Sequence, residues 1–160
     1  MKALTKLSSA ADDVAVRPRP VPSPAAGQAP SPAAGQALVL VTATGLCGSD
    51  VHAIRGHAGY EWVSTPVTLG HEITGVVADG AGPVPVDTQV GVISMDGCRA
   101  CDLCTAGRRP LCPDRTALDL LCGAAAVPAD RMVSPFPLDD WAAALDAVTR
   151  GTVIKAALRP

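Results

Sequence analysis

The sequence predicts a mainly β domain with a few short helices: a partly open β-barrel that carries an irregular cysteine-rich lobe and closes on a helix and a strand. Three observations lead there. Short β-rich apolar runs alternate with Gly/Pro turns along most of the chain. Helical patterning is confined to one short stretch after Cys47 and one long one after Pro137. The hydrophobic fraction is 48% but the aromatic fraction only 2%, so the core must be built from Val, Leu, Ile and Ala. A chain of 160 residues is long enough for one domain with a real core, and residues 1–160 read as a single domain.

Taken in order, Met1 to Leu7 and Val14 to Arg17 read as two strands around a turn at Ala11-Asp12-Asp13. Residues 22–37 hold Pro22-Ser23-Pro24-Ala25-Ala26-Gly27-Gln28-Ala29 and then the same eight residues again, from Pro30 to Ala37. This duplication is too short and too Pro-rich to stack as a solenoid, and one copy reads as a loop insertion without chemistry. Leu38 to Ala43 is an apolar β-rich run, expected to be a buried strand. Ser49 to Arg55 suits a short helix ended near Gly56. Ile73 to Ala78 and Gln89 to Ser94 read as strands, with Gly80, Gly82, Pro83 and Pro85 turning between them. Residues 97–113 form an irregular lobe around four cysteines, and Val127 to Val133 reads as strand and turn, broken by Pro128.

Residues 138–160 predict a helix and a strand. Leu138, Trp141, Leu145 and Val148 fall on one helical face. Asp139 and Asp140 sit in the first turn, where the helix dipole favours carboxylates, and Arg150 and Gly151 mark the end. Thr152 to Leu158 then reads as the final strand.

Composition excludes several function classes. With 13 basic and 15 acidic residues and a net charge of -2, no basic patch argues for nucleic acid or an anionic membrane. No apolar run is long enough to span a bilayer, and Met1 to Leu7 lacks the apolar segment of a signal peptide. The cytoplasm is the default expectation, and there six cysteines point to metal ligands or free thiols rather than disulfides.

Cys98, Cys101, Cys104 and Cys112 stand as C-x2-C-x2-C-x7-C. Four thiolates at this spacing suit one tetrahedral zinc: the two-residue gaps point successive sulfurs at one centre, and the longer gap brings the chain back. The lobe has little apolar material to bury, so the ion must supply its stability. Four thiolates also leave no open position for a substrate, which makes this a structural site.

A second group lies upstream. Cys47 follows a strand and opens a helix, in Cys47-Gly48-Ser49-Asp50-Val51-His52, and Gly70-His71-Glu72 precedes another strand. A thiolate and an imidazole are good zinc ligands, and a carboxylate can join them or stand behind them. Fewer than four protein ligands would leave room for water, as in a catalytic site. On spacing alone, Cys47 could equally be an ordinary buried thiol and His71 a satisfied core histidine.

Gly45-Leu46-Cys47-Gly48-Ser49-Asp50-Val51-His52, then Leu69-Gly70-His71-Glu72, then the four-cysteine array closely resemble the zinc-dependent medium-chain alcohol dehydrogenases, nearest the sorbitol, threonine and glucose dehydrogenase branch. The resemblance implies a GroES-like catalytic domain and two zinc ions. It implies Cys47 and His71 as ligands of the catalytic zinc, the two-cysteine and one-histidine type for which alcohol dehydrogenase is the standard example. Glu72 would lie beside that ion, as a ligand in some states, and Asp50 would orient His71 from behind. Ser49 would accept the substrate hydroxyl proton and His52 would pass it to solvent. Helix capping is the alternative work of Ser49 and Asp50, compatible with that chemistry. His57 reads as a loop histidine, and Arg55 and Trp62 as loop or packing residues.

The chain departs from the family where a dinucleotide-binding domain should begin, soon after Pro135. Val133 to Pro137 runs straight into the C-terminal helix, whereas one βαβ unit needs about 30 residues. NAD(P) is therefore not expected to bind, and hydride transfer needs a cofactor to take the hydride. The third protein ligand of the catalytic zinc is open: Cys122 could supply it, but its apolar neighbours Leu120, Leu121 and Ala124 fit a plain buried thiol better. The expected function is a zinc enzyme acting on a small-molecule hydroxyl or carbonyl by non-redox chemistry. The alternatives are alcohol dehydrogenase activity with a cofactor supplied through a partner, and a non-catalytic truncated or engineered dehydrogenase domain. The apolar face left by the absent domain predicts a homo-oligomer, with Trp141 or its neighbours near the contact.

Overall fold

In the computed structural model, residues 1–21, 37–80, 84–114, 117–122 and 132–160 are described. The duplicated segment 22–37 lies outside them except for Ala37, as does most of the strand expected at 127–133. Nine strands and three α-helices occur among the described residues: β1 (Lys2–Lys6), β2 (Val14–Pro18), β3 (Ala37–Leu46), α1 (Gly48–Arg55), β4 (Val67–Thr68), β5 (Glu72–Gly80), β6 (Gln89–Asp96), α2 (Asp102–Thr105), β7 (Ala117–Cys122), β8 (Val133–Pro137), α3 (Trp141–Thr149) and β9 (Lys155–Arg159). They form a three-stranded sheet in the order β2-β1-β4 and a six-stranded sheet in the order β7-β6-β5-β3-β9-β8. Pairing is antiparallel except between β8 and β9, which run parallel.

The core sits where the two sheets and the two longer helices meet. Leu4, Leu46, Ile54, Leu69, Leu138, Leu145 and Leu158 form one buried cluster around Ala144 and Ala156, with Phe136 and Trp141 packed against it. Aliphatic side chains carry nearly all of it, as the low aromatic content requires. Trp141 is half-buried and packs on the core.

Several expectations need correction. The run at Leu38 to Ala43 lies within β3 but is not buried: Leu40 is 65% exposed, and full burial is reached only at Gly45 and Leu46. Its apolar residues report pairing in the sheet rather than cover on both faces. The final strand begins at Lys155, not Thr152. The Thr152 N–H and hydroxyl both donate to Ala147 O and Gly151 takes a φ of 68°, so Thr152 still belongs to the end of α3. Asp139 and Asp140 lie in a 3-10 turn, Leu138–Asp140, ahead of α3. The cysteine lobe contains α2 and a second 3-10 turn at Arg109–Leu111, and β7 follows it without having been anticipated.

Candidate metal centre

β3 ends at Leu46 and the chain turns at once into α1, with Cys47 as its N-cap residue. Asp50, three residues on, returns its carboxylate to the start of the helix and accepts the Cys47 N–H at 2.9 Å. This is why Cys47 presents its sulfur at a fixed place. The other Asp50 oxygen accepts the Gly70 N–H at 3.1 Å, tying the α1 terminus to the turn before β5. Gly70 has φ 87°, and a Cβ there would collide with Thr44 Oγ1, so a glycine is required where the chain passes.

His71 and Glu72 follow that turn. Asp50 Oδ2 lies 3.5 Å from His71 Nδ1, and Asp50 is only 5% exposed. A buried carboxylate facing Nδ1 favours the tautomer protonated there, which leaves the Nε2 lone pair free to ligate. Cys47, His71 and Glu72 bring one ligand atom each within 4.8 Å of one another. The donor set of one thiolate, one imidazole and one carboxylate fits zinc with a position left open. Ser49 Oγ stands 3.4 Å from His71 Nε2, at the same place.

Other parts of the arrangement were not readable from the sequence. Lys155, from β9, sets its Nζ 2.7 Å from Glu72 Oε2 and 2.8 Å from Oε1. Glu72 is therefore paired rather than free. Lys155 is 83 residues away in sequence, and only the β3–β9 pairing brings it there. His52 lies on α1, but its described contacts are with His57 and Tyr60 rather than with Ser49. Arg55 pairs with Asp12 at 3.0 Å, and Trp62 is exposed with its indole N–H on Gly59 O. Cys122 ends β7 opposite Val90, which itself pairs with Gly75. Its backbone thus stands two strands across and three residues along from Glu72, about 14 Å by ordinary sheet spacings.

The second cluster is tighter. Cys98 and Cys104 place their sulfurs 3.9 Å apart, and Cys101 and Cys112 3.8 Å apart. Four sulfurs around one zinc at ordinary bond lengths would be separated by about 3.8 Å, so the cage has the size of the ion. A Cβ on Gly97 would collide with Cys104 Sγ, which explains the glycine at the mouth of the lobe. Backbone N–H groups of Ala100 and Cys101 lower the Cys98 thiol to about 7, whereas burial pushes Cys104 up to about 12. A bound cation would bring all four to the thiolate form.

Residues 33–137 match the alcohol dehydrogenase GroES-like domain. A sorbitol dehydrogenase of Halalkalibacterium halodurans is 35% identical over 122 residues, which cover 74% of this chain and 32% of that protein. An L-threonine 3-dehydrogenase of Streptomyces avermitilis is 43% identical over 81 residues, 47% of this chain and 23% of that one. Among solved structures, the alcohol dehydrogenase TADH from Thermus sp. ATN1 superposes with a TM-score of 0.55 at 28% identity, covering 73% of this chain and 31% of the other. The chain spans about a third of the length of the sorbitol dehydrogenase it matches. No helix among the described residues is long and apolar enough to cross a membrane.

Proposed function

Because the chain belongs to the family of the alcohol dehydrogenase GroES-like domain, we propose that it is a zinc-dependent enzyme acting on the hydroxyl or carbonyl group of a small molecule by non-redox chemistry, of lyase, cyclase, isomerase or hydrolase type. The observation that carries the zinc reading is the position of Asp50, whose one carboxylate fixes the Cys47 N–H, the Gly70 N–H and the His71 ring. When bound, zinc supplies a Lewis acid for the substrate oxygen. Cys47 and His71 hold the ion, and Asp50 sets the tautomer of His71. Ser49, 3.4 Å from His71 Nε2, would hold the substrate hydroxyl proton, and His52, exposed on the same helix, would pass it to solvent. Glu72 is held by Lys155 beside the ion's place.

The non-redox part of the proposal is compatible with the parallel unit β8-α3-β9. A dinucleotide pyrophosphate sits on glycines and free N–H groups at the strand-to-helix turn of such a unit. Here that turn is Pro137-Leu138-Asp139-Asp140, two carboxylates and no glycine, with Asp139 paired to Lys2 at 2.8 Å. The second reading, hydride transfer with a nicotinamide cofactor supplied through a partner, is favoured by the relatives, which are dehydrogenases by name. Self-association belongs to the same proposal. Leu40 and Ile154, 65% and 71% exposed, are better carriers of it than Trp141.

The test is conversion of small polyols and ketoses by the zinc-loaded chain, followed by NMR with and without NAD(P). Conversion without nucleotide, lost in His71→Ala, is the expected result. Saturable micromolar nicotinamide binding would move the assignment to the second reading. No conversion under either condition would leave a non-catalytic domain.

A further inference from the structure

We propose that His52 and His57 form a separate site for a divalent late transition-metal ion in tetragonal coordination, of the nickel(II) or copper(II) type. The two Nδ1 atoms lie 2.7 Å apart. Two imidazole nitrogens bound to one ion at ordinary lengths are about 2.9 Å apart when cis at a right angle, and about 3.3 Å apart in a tetrahedron. The observed spacing is that of a hydrogen bond between the metal-free rings; it opens by about 0.2 Å to reach the cis pair and by about 0.6 Å to reach the tetrahedral one, so the smaller rearrangement favours tetragonal ions over zinc.

The local structure holds both rings in place. His57 follows the C-cap of α1, where Gly56 takes φ 66° and the His57 N–H donates to His52 O at 3.1 Å. That reversal sets the second imidazole beside the first. Tyr60 stacks on His52 with ring centroids 5.2 Å apart, and its N–H donates to His57 O at 3.2 Å. The carbonyl end of α1 adds partial negative charge, which favours a cation there. Both histidines are exposed, so the remaining positions around the ion are open to water.

Without metal, one Nδ1 donates its hydrogen to the other, because two facing lone pairs would repel. On binding, the donor ring carries its hydrogen on Nε2 instead, both Nδ1 lone pairs face the ion, and no net proton is released. The site shares no ligand with the Cys47, His71 and Glu72 group, and it does not depend on whether that group turns over a substrate.

The test uses the zinc-loaded full chain and Ni2+, which avoids the thiol oxidation that copper would bring. Calorimetry is expected to show one further equivalent, with paramagnetic broadening of amide signals centred on His52, His57 and Tyr60. His57→Gln and His52→Gln should each weaken that binding by at least about tenfold, since one imidazole replaces a chelate. His57→Gln alters an exposed loop, and an unchanged zinc content and amide spectrum verify that the fold is intact. Ni2+ affinity unchanged from the parent chain in either variant, or broadening centred on Cys47 or on the Cys98 to Cys112 lobe, would overturn the assignment.

Discussion

Lys155 Nζ bridges both carboxylate oxygens of Glu72, at 2.7 and 2.8 Å, directly beside Cys47 and His71. The carboxylate best placed to join the ion is thus held by a cation that competes with it. The pair is about one-third exposed on each side, so its own contribution to stability is at most about 1 kcal/mol.

Lys155→Met is therefore expected to leave the fold almost unchanged and to raise zinc affinity at the Cys47 site about fivefold, by freeing Glu72 and removing a positive charge. Chelator competition measures this. A fall in affinity would mean that the lysine organises the site instead of restraining it.

Asp50→Ala should be far more costly. It leaves the Cys47 and Gly70 N–H groups without their acceptor in a half-buried position, at about 1–3 kcal/mol in denaturant unfolding. Zinc affinity at the same site should drop about 10- to 100-fold as His71 loses its orienting carboxylate. Asp50→Asn should recover much of the stability and little of the affinity; equal recovery of both would argue that Asp50 only caps the helix.

The two zinc positions separate by mutation. Cys101→Ser should lower the metal content by one ion and destabilise the region of the cysteine cage, because little else holds it. His71→Ala should also remove one ion yet keep the melting temperature within a few degrees. Elemental analysis with calorimetry distinguishes them, and an unchanged metal content in Cys101→Ser would contradict a zinc cage.

Thiol chemistry gives a pH-dependent check on the metal-free chain. Cys98 is lowered to about 7 from 9.0, so its contribution to stability is full above 9.0 and is lost as pH falls through about 7. Cys104, raised to about 12, contributes fully below 9.0 and loses that contribution as pH rises towards 12. At neutral pH, iodoacetamide should label Cys98 well before Cys104, as read by peptide mass spectrometry, and zinc should protect both. Preferential labelling of Cys104 would reverse the picture of the cage.

Much of the site was legible because its residues are close in sequence. Cys47, Ser49 and Asp50 share one helix start, His71 and Glu72 are adjacent, and the cysteine cage spans one short lobe; spacing carries the cage, and the resemblance of the short motifs carries the Cys47 group. Gly56 marked the end of α1 for a local reason, its left-handed φ. Lys155 was not legible, because nothing near it refers to Glu72. The exposure of Leu40 was hidden for a related cause: an apolar strand pattern does not say whether both faces are covered. The meeting of His52 with His57 likewise needed the turn at Gly56 to be seen in three dimensions.

The place of β9 between β3 and β8 bears on how the chain is made. Leu46 and Lys155, 109 residues apart, must both have left the ribosome before β9 can pair with β3. Until then Leu46 lacks Ala156 and Leu158, and Glu72 lacks its cation. Such long-range closure is slow, and it leaves a sticky, half-built sheet exposed during synthesis. The Cys47, His71 and Glu72 group is thus made well before the lysine that restrains its carboxylate.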